Sequence, residues 1–234
     1  MRLYTLNYRF AEEILTNDRN RQALEEIETI AENCPLPIWR NKSATNPNLD
    51  VSQQVMNSYF DRMLHVNHGW DYHPPATAIP DSGLAADFRK EFPSGLRIQV
   101  EVQFGNASRF YADIFKCQTA ASQHLCDLGL IIVPTADLAR RIDSNVASFE
   151  RAAKELPSAK FQITIPILLI GMEVDDETTI IDLRATDFGN YTRQISKGPE
   201  KNRLRIIDAF LNNRDYGTVD EDSPVGPVGN LNPT

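Results

Sequence analysis

Three kinds of residue or run are scarce in this chain of 234 residues, and each scarcity excludes something. There are only three cysteines, Cys34, Cys117 and Cys126. An odd number at spacings that fit no zinc pattern excludes a disulfide framework and a zinc module, and buried free thiols in a reducing compartment are expected. Positive charge is also short: 24 Lys and Arg stand against 32 Asp and Glu, for a net charge of −8. That excludes a generic basic nucleic-acid binder but leaves room for a DNA enzyme whose cleft is locally basic. Long apolar runs are missing. The most apolar segment, Ile163–Met172, has the length of a strand and falls short of the roughly 18 residues of a membrane span. Met1-Arg2-Leu3-Tyr4 has none of the apolar character of a signal peptide, so a cytoplasmic protein is expected. Of the four histidines, His65, His68 and His73 lie near one another, but at the spacing of no common metal site, and structural or surface roles are expected for them.

What is present reads as one α/β domain. The length suits a single domain over residues 1–216, followed by a flexible tail over 217–234 where Gly, Pro, Asn and acids dominate. Residues 8–33 read as helix, broken near Asn17-Asp18, and 35–50 as loop. A second helix starts near Asp50 or Ser52. Its stripe of Val51, Val55, Met56, Tyr59, Phe60, Met63 and Leu64 points to the core first and a dimer surface second, and Gly69 closes it. Further on, 109–127 reads as helix, and Leu128–Val133 as a strand buried on both sides. Residues 136–156 read as helix interrupted at Asp143-Ser144-Asn145, with that loop as the N-cap of the restart near Val146. Phe161–Met172 and Thr178–Leu183 read as strands, and Leu204–Leu211 as a short element. This alternation predicts a mixed β-sheet flanked by helices on both faces.

The chemistry centres on Leu96–Asn106, L-R-I-Q-V-E-V-Q-F-G-N. Ile98, Val100, Val102 and Phe104 alternate with Arg97, Gln99, Glu101 and Gln103, the pattern of a strand with an apolar and a polar face. By pattern alone, such a polar face is most often solvated. Upstream, Pro93-Ser94-Gly95 is a turn. A hairpin folded at Ser94 brings Asp87 opposite Glu101, with Gln103 beside it; Asp81 is the rival first acid, but falls past the useful end of the strand. Two carboxylates and an amide at one spot suit a hard divalent cation such as Mg²⁺, which can polarise a phosphoryl oxygen and activate water.

The segment V100-E101-V102-Q103-F104-G105-N106 resembles the active-site strand of the BglII/BstYI group of type II restriction endonucleases. Other segments resemble the family in order: Tyr8–Leu15, Asn57-Ser58-Tyr59-Phe60 with Gly69-Trp70, Leu128–Val133, Ser148-Phe149-Glu150, Pro166–Gly171 and Tyr191-Thr192-Arg193. Together they span most of residues 1–197. The Asp-to-Glu spacing is longer here than in the family, as a lengthened hairpin would make it.

The resemblance implies a restriction-endonuclease-like core of the PD-(D/E)xK type and Mg²⁺-dependent hydrolysis of double-stranded DNA. Asp87 and Glu101 would hold the metal. Gln103, standing where many nucleases of this fold carry lysine, has no ionisable proton to exchange near neutral pH and would only orient water. Asn106, Ser144, Asn145, Tyr191 and Arg193 take the positions of DNA-contacting residues, and His73 lies near an asparagine that the family places close to its catalytic centre. A palindromic site read by a homodimer, a six-base sequence built around GATC, four-base 5′ overhangs and a companion DNA methyltransferase follow from the same resemblance. Two readings compete with it. A repair or junction-cleaving nuclease of this fold would cut structured DNA without fixed sequence, and a degenerate DNA-binding protein would bind without cutting.

Overall fold

The computed structural model describes residues 1–159, 162–186 and 200–214. Its centre is a six-stranded mixed sheet in the order β1-β7-β6-β5-β4-β3. These strands are β1 (Arg2–Tyr8), β3 (Asp71–Tyr72), β4 (Phe88–Glu91), β5 (Arg97–Val102), β6 (Leu128–Pro134) and β7 (Ile167–Glu173). The middle three run parallel, and β1, β4 and β3 are antiparallel to their neighbours. A separate parallel pair joins β2 (Leu36–Ile38) to β8 (Ile180–Asp182). The helices are α1 (Ala11–Thr16), α2 (Arg21–Glu32), α3 (Gln53–Phe60), α4 (Ala107–Ser122), α5 (Ala136–Ile142), α6 (Phe149–Glu155) and α7 (Glu200–Leu211). A π-helical stretch, Asp61–Asn67, extends α3 until Gly69, at φ 69°, turns the chain away.

The sheet separates two apolar cores. On one face, Ile98, Val100, Leu128, Leu130 and Ile132 pack with Ile27 and Ile30 of α2 and Val55, Met56 and Tyr59 of α3. On the other, Ile131, Val133, Ile167 and Leu169 pack with Phe110, Ile114 and Cys117 of α4 and Ala152 of α6. Strand β6 is buried along its whole length, as a strand covered on both faces should be. The apolar stripe of α3 belongs to the first core, with Val55, Met56, Tyr59 and Phe60 all buried, so it forms no dimer surface. All three cysteines are buried free thiols.

Several elements depart from the sequence reading. The N-terminal strand β1 was not foreseen: six of its seven side chains are exposed or half-buried, so it lacks the alternation of an inner strand. The expected break near Asn17-Asp18 is present, dividing the N-terminal helix into α1 and α2 across residues 17–20. The helical restart is later than expected, because Ser148, not the Ser144-Asn145 loop, is the N-cap of α6, its hydroxyl accepting from the Arg151 amide. Residues 217–234 lie outside the described residues.

Candidate active site

The β4–β5 hairpin sets the geometry. Phe88 pairs with Val100 and Glu91 with Arg97, so the same register faces Asp87 toward Glu101. The reversal is tight: the Phe92 amide donates to Leu96 O at 2.9 Å and the Gly95 amide to Phe92 O at 2.8 Å. Gly95 sits at φ 84°, a backbone conformation that favours glycine. The Asp87 carboxylate is anchored across the hairpin, Oδ2 accepting from the Val102 amide at 2.9 Å. Asp81 is elsewhere, exposed in a turn with left-handed backbone at φ 56°.

The polar face of β5 is not solvated. Helix α4 covers it, and Gln99 and Glu101 are fully buried while Gln103 is nearly so. Buried polar groups need partners, and each of these has them. Gln99 accepts from the Arg89 guanidinium at 3.0 Å and donates Nε2 to Glu101 Oε1 at 2.9 Å. Glu101 Oε2 accepts from the Lys116 ammonium. Gln103 donates Nε2 to Asp113 Oδ2 at 2.7 Å and accepts from the Gly105 amide at 2.8 Å. Lys116 also contacts Asp113 Oδ1 at 2.8 Å and lies 3.9 Å from Asp87 Oδ1. Three carboxylates therefore converge on one ammonium.

The electrostatics follow from that imbalance. Burial and then the Asp87 charge push the Glu101 carboxyl up to about 9, against the opposing pull of Lys116. Asp87 is raised as well, chiefly by burial and further by Asp113, although Lys116 and the Val102 amide work the other way. Burial alone would lower the Lys116 ammonium, but Glu101, Asp87 and Asp113 outweigh it and the group stays charged. With all three acids ionised, the pocket carries an excess of two negative charges, which one divalent cation would cancel. Among the described residues no three His, Cys, Asp or Glu side chains form a metal cage of their own. Mg²⁺ does not need one, since it uses one or two carboxylates and keeps several waters. Asp87 and Glu101, oxygen donors facing each other in an over-negative pocket, fit that demand.

The remaining candidate residues fall into three places. His73 donates its backbone amide to Asp87 O at 3.0 Å and shares with Asp87 a cleft of about 250 Å³, also lined by Asn57, Asp61, Val102 and Arg203. Its ring is exposed and stacks on Tyr72. Asn106 caps α4, Oδ1 accepting from the Ser108 amide at 2.9 Å, and bridges to Val146. The Ala107 amide donates to Asn145 O at 3.0 Å, and Ser144 is exposed in the same loop. Asn106, Ser144 and Asn145 thus cluster beyond the C-terminal end of β5. Tyr191 and Arg193 lie outside the described residues.

Sequence reasoning missed Asp113 and Lys116, which complete the pocket from α4. The available signal was an acid and a lysine three residues apart beside the stripe of Phe110, Ile114 and Cys117. That spacing places both on one side of a helix, but nothing in it says which strand lies beneath.

A mixed sheet flanked by helices, with paired acids on its antiparallel hairpin, defines the restriction-endonuclease-like fold of PD-(D/E)xK type. The family model described as restriction endonuclease BglII/BglIII matches residues 3–172, well over half of the chain. The chain belongs to that family, and so to the nucleases of restriction-endonuclease type, whose mechanism is metal-dependent. Among solved structures it is similar to restriction endonuclease BglII complexed with a DNA 16-mer, at 23% identity and a TM-score of 0.60, covering 76% of this chain and 79% of that one. It is also similar to free BglII, at 21% identity and a TM-score of 0.47, covering 76% and 82%. No curated protein matches. Tyr191, Arg193 and α7 lie beyond the matched residues.

Proposed function

We propose that this protein is a type II restriction endonuclease that cleaves double-stranded DNA at a palindromic site in a Mg²⁺-dependent reaction. The observation that carries the reading is the pair Asp87 and Glu101, facing each other across the β4–β5 hairpin in a pocket where three acids share one ammonium. Asp87 and Glu101 would hold Mg²⁺, which would supply charge stabilisation for the phosphoryl group and lower the pKa of a water. The chain's own residues do the rest. Gln99 fixes one oxygen of Glu101, leaving the other directed into the pocket. Gln103 is held by Asp113 and the Gly105 amide, and orients water without exchanging a proton. His73 lines the cleft it shares with Asp87 and would lie beside a phosphate bound there.

Asn106, Ser144, Asn145, Tyr191 and Arg193 are the proposed DNA-reading residues. Asn pairs bidentately with adenine and Arg with guanine, each worth about 1–3 kcal/mol of discrimination. The clustering of Asn106 with the Ser144-Asn145 loop supports a shared reading surface. A two-fold site needs a symmetric reader, so the working form is a homodimer. The outer face of α4 suits a second copy: Tyr111 and Phe115 are 46% and 61% exposed beside an apolar cleft of about 530 Å³ against Leu156 and Ile163. The proposed target is a six-base site built around GATC, cut to leave 5′ overhangs. A DNA methyltransferase would protect the host's own copies, and both proteins would act in the cytoplasm.

Digestion of a sequenced plasmid with and without Mg²⁺, followed by mapping of the ends, tests this. The expected result is discrete fragments with uniform 5′ overhangs at one palindromic sequence, only with Mg²⁺. Scattered ends, or cutting confined to branched DNA, would overturn sequence-specific restriction. Binding without cutting would overturn enzymatic activity.

A further inference from the structure

We propose that Lys116 is a built-in placeholder for the divalent cation: its ammonium holds Glu101 and Asp113 in the metal-free protein and gives up Glu101 when the ion enters between Glu101 and Asp87. The proposal rests on the reading of Asp87 and Glu101 as metal ligands.

The geometry assigns Lys116 two different attachments. It sits three residues after Asp113 on the same helix and contacts Oδ1 of that side chain at 2.8 Å. Its contact with Glu101 Oε2 crosses from helix to sheet, and Asp87 is within 3.9 Å. Asp113 is itself fixed, because its other oxygen accepts from Gln103. Lysine is a compact charge on a flexible four-carbon stem, so it can leave the sheet while staying on its own helix. Glu101 has no such freedom: it is fully buried, with its other oxygen held by Gln99. In the absence of the ion, the ammonium bridges helix and hairpin, touching Glu101 and Asp113 with Asp87 3.9 Å away. When the ion arrives at Glu101 Oε2, it and the ammonium are like charges at close range in a buried site, and the mobile one moves. Afterwards the three carboxylates face one divalent and one monovalent charge, and the pocket is neutral.

Two measurements test the placeholder. The first follows amine acetylation of Lys116 by mass spectrometry in the intact wild-type protein, with and without saturating Mn²⁺. Faster labelling with Mn²⁺ is expected, and an unchanged or slower rate overturns the proposal. The second measures Mn²⁺ affinity of Lys116→Gln by electron paramagnetic resonance. Removing a like charge next to the ion should tighten binding about tenfold, whereas unchanged or weaker affinity in a folded variant overturns the proposal. Should that variant fail to fold, the labelling of the wild type decides. If wild-type protein binds no Mn²⁺, the metal reading of Asp87 and Glu101 fails and the placeholder fails with it. If Mn²⁺ binds and is lost in Asp87→Asn while Lys116 is indifferent to it, only the placeholder fails.

Discussion

The buried carboxyl of Glu101 makes the metal-free protein sensitive to pH in an unusual direction, and Glu101→Gln should remove that sensitivity. Burial and Asp87 raise this group to about 9 in the folded protein, against an ordinary value of 4.5. Between those two values the folded chain holds a proton that the unfolded chain lacks, so stability is greatest at the acidic end and falls as pH rises. One proton taken up on folding gives a slope of at most about 1.4 kcal/mol per pH unit. From pH 6 to pH 8 the wild type should therefore lose up to about 2.7 kcal/mol. Asp87, also raised by burial, acts in the same sense. Glutamine mimics the protonated acid and keeps one oxygen to accept from Lys116, so Glu101→Gln should flatten the profile. Urea denaturation in EDTA at pH 6, 7 and 8, with both proteins, gives the slopes. A wild-type stability that is level or rises over this range would refute the reasoning, as would an equal slope in the variant. Adding Mg²⁺ should stabilise the wild type more at pH 8 than at pH 6, because the ion replaces the proton.

Three further outcomes are expected. Gln99→Ala leaves a buried Glu101 oxygen and the Arg89 guanidinium without the amide that joins them, and should cost about 1–3 kcal/mol in a urea titration, with a parallel fall in cleavage. Gly171→Ala places a Cβ 2.5 Å from the Phe149 ring, and overpacking of this kind should cost about 1–3 kcal/mol, read as a lowered Tm. Asp127 takes two hydrogen bonds from the Arg97 side chain and one from its amide, and Arg97 holds its carboxyl below the ordinary value. That stability is present above the usual carboxylate range and is lost as pH falls below it. Asp127→Asn should cost about 1 kcal/mol or less at neutral pH, given the solvent exposure of the pair, and nothing measurable in acid.

The hairpin was legible because its signals are local. Pro93-Ser94-Gly95 marks the reversal, and counting back from it sets Asp87 against Glu101. Burial of the polar side of β5 was not legible. Gln99, Glu101 and Gln103 have the alternation of a solvated face, and only the packing of α4 over them reverses that meaning. For the same reason Asp113 and Lys116 escaped notice: a helix periodicity shows which residues share a side, not what that side covers. Strand β1 was hidden because an edge strand with exposed side chains on both faces has no apolar alternation to read. The inner strand β6, buried throughout, was plain from its unbroken apolar run.

The most direct test of the paired acids compares cleavage of one mapped plasmid site by wild type, Asp87→Asn, Glu101→Gln and Asp81→Asn, with DNA binding checked separately in Ca²⁺. Loss of either proposed metal ligand should remove several kcal/mol of transition-state stabilisation, on the order of a thousandfold in rate, with binding retained and Asp81→Asn cutting normally. Full activity in Asp87→Asn alongside its loss in Asp81→Asn would contradict the account.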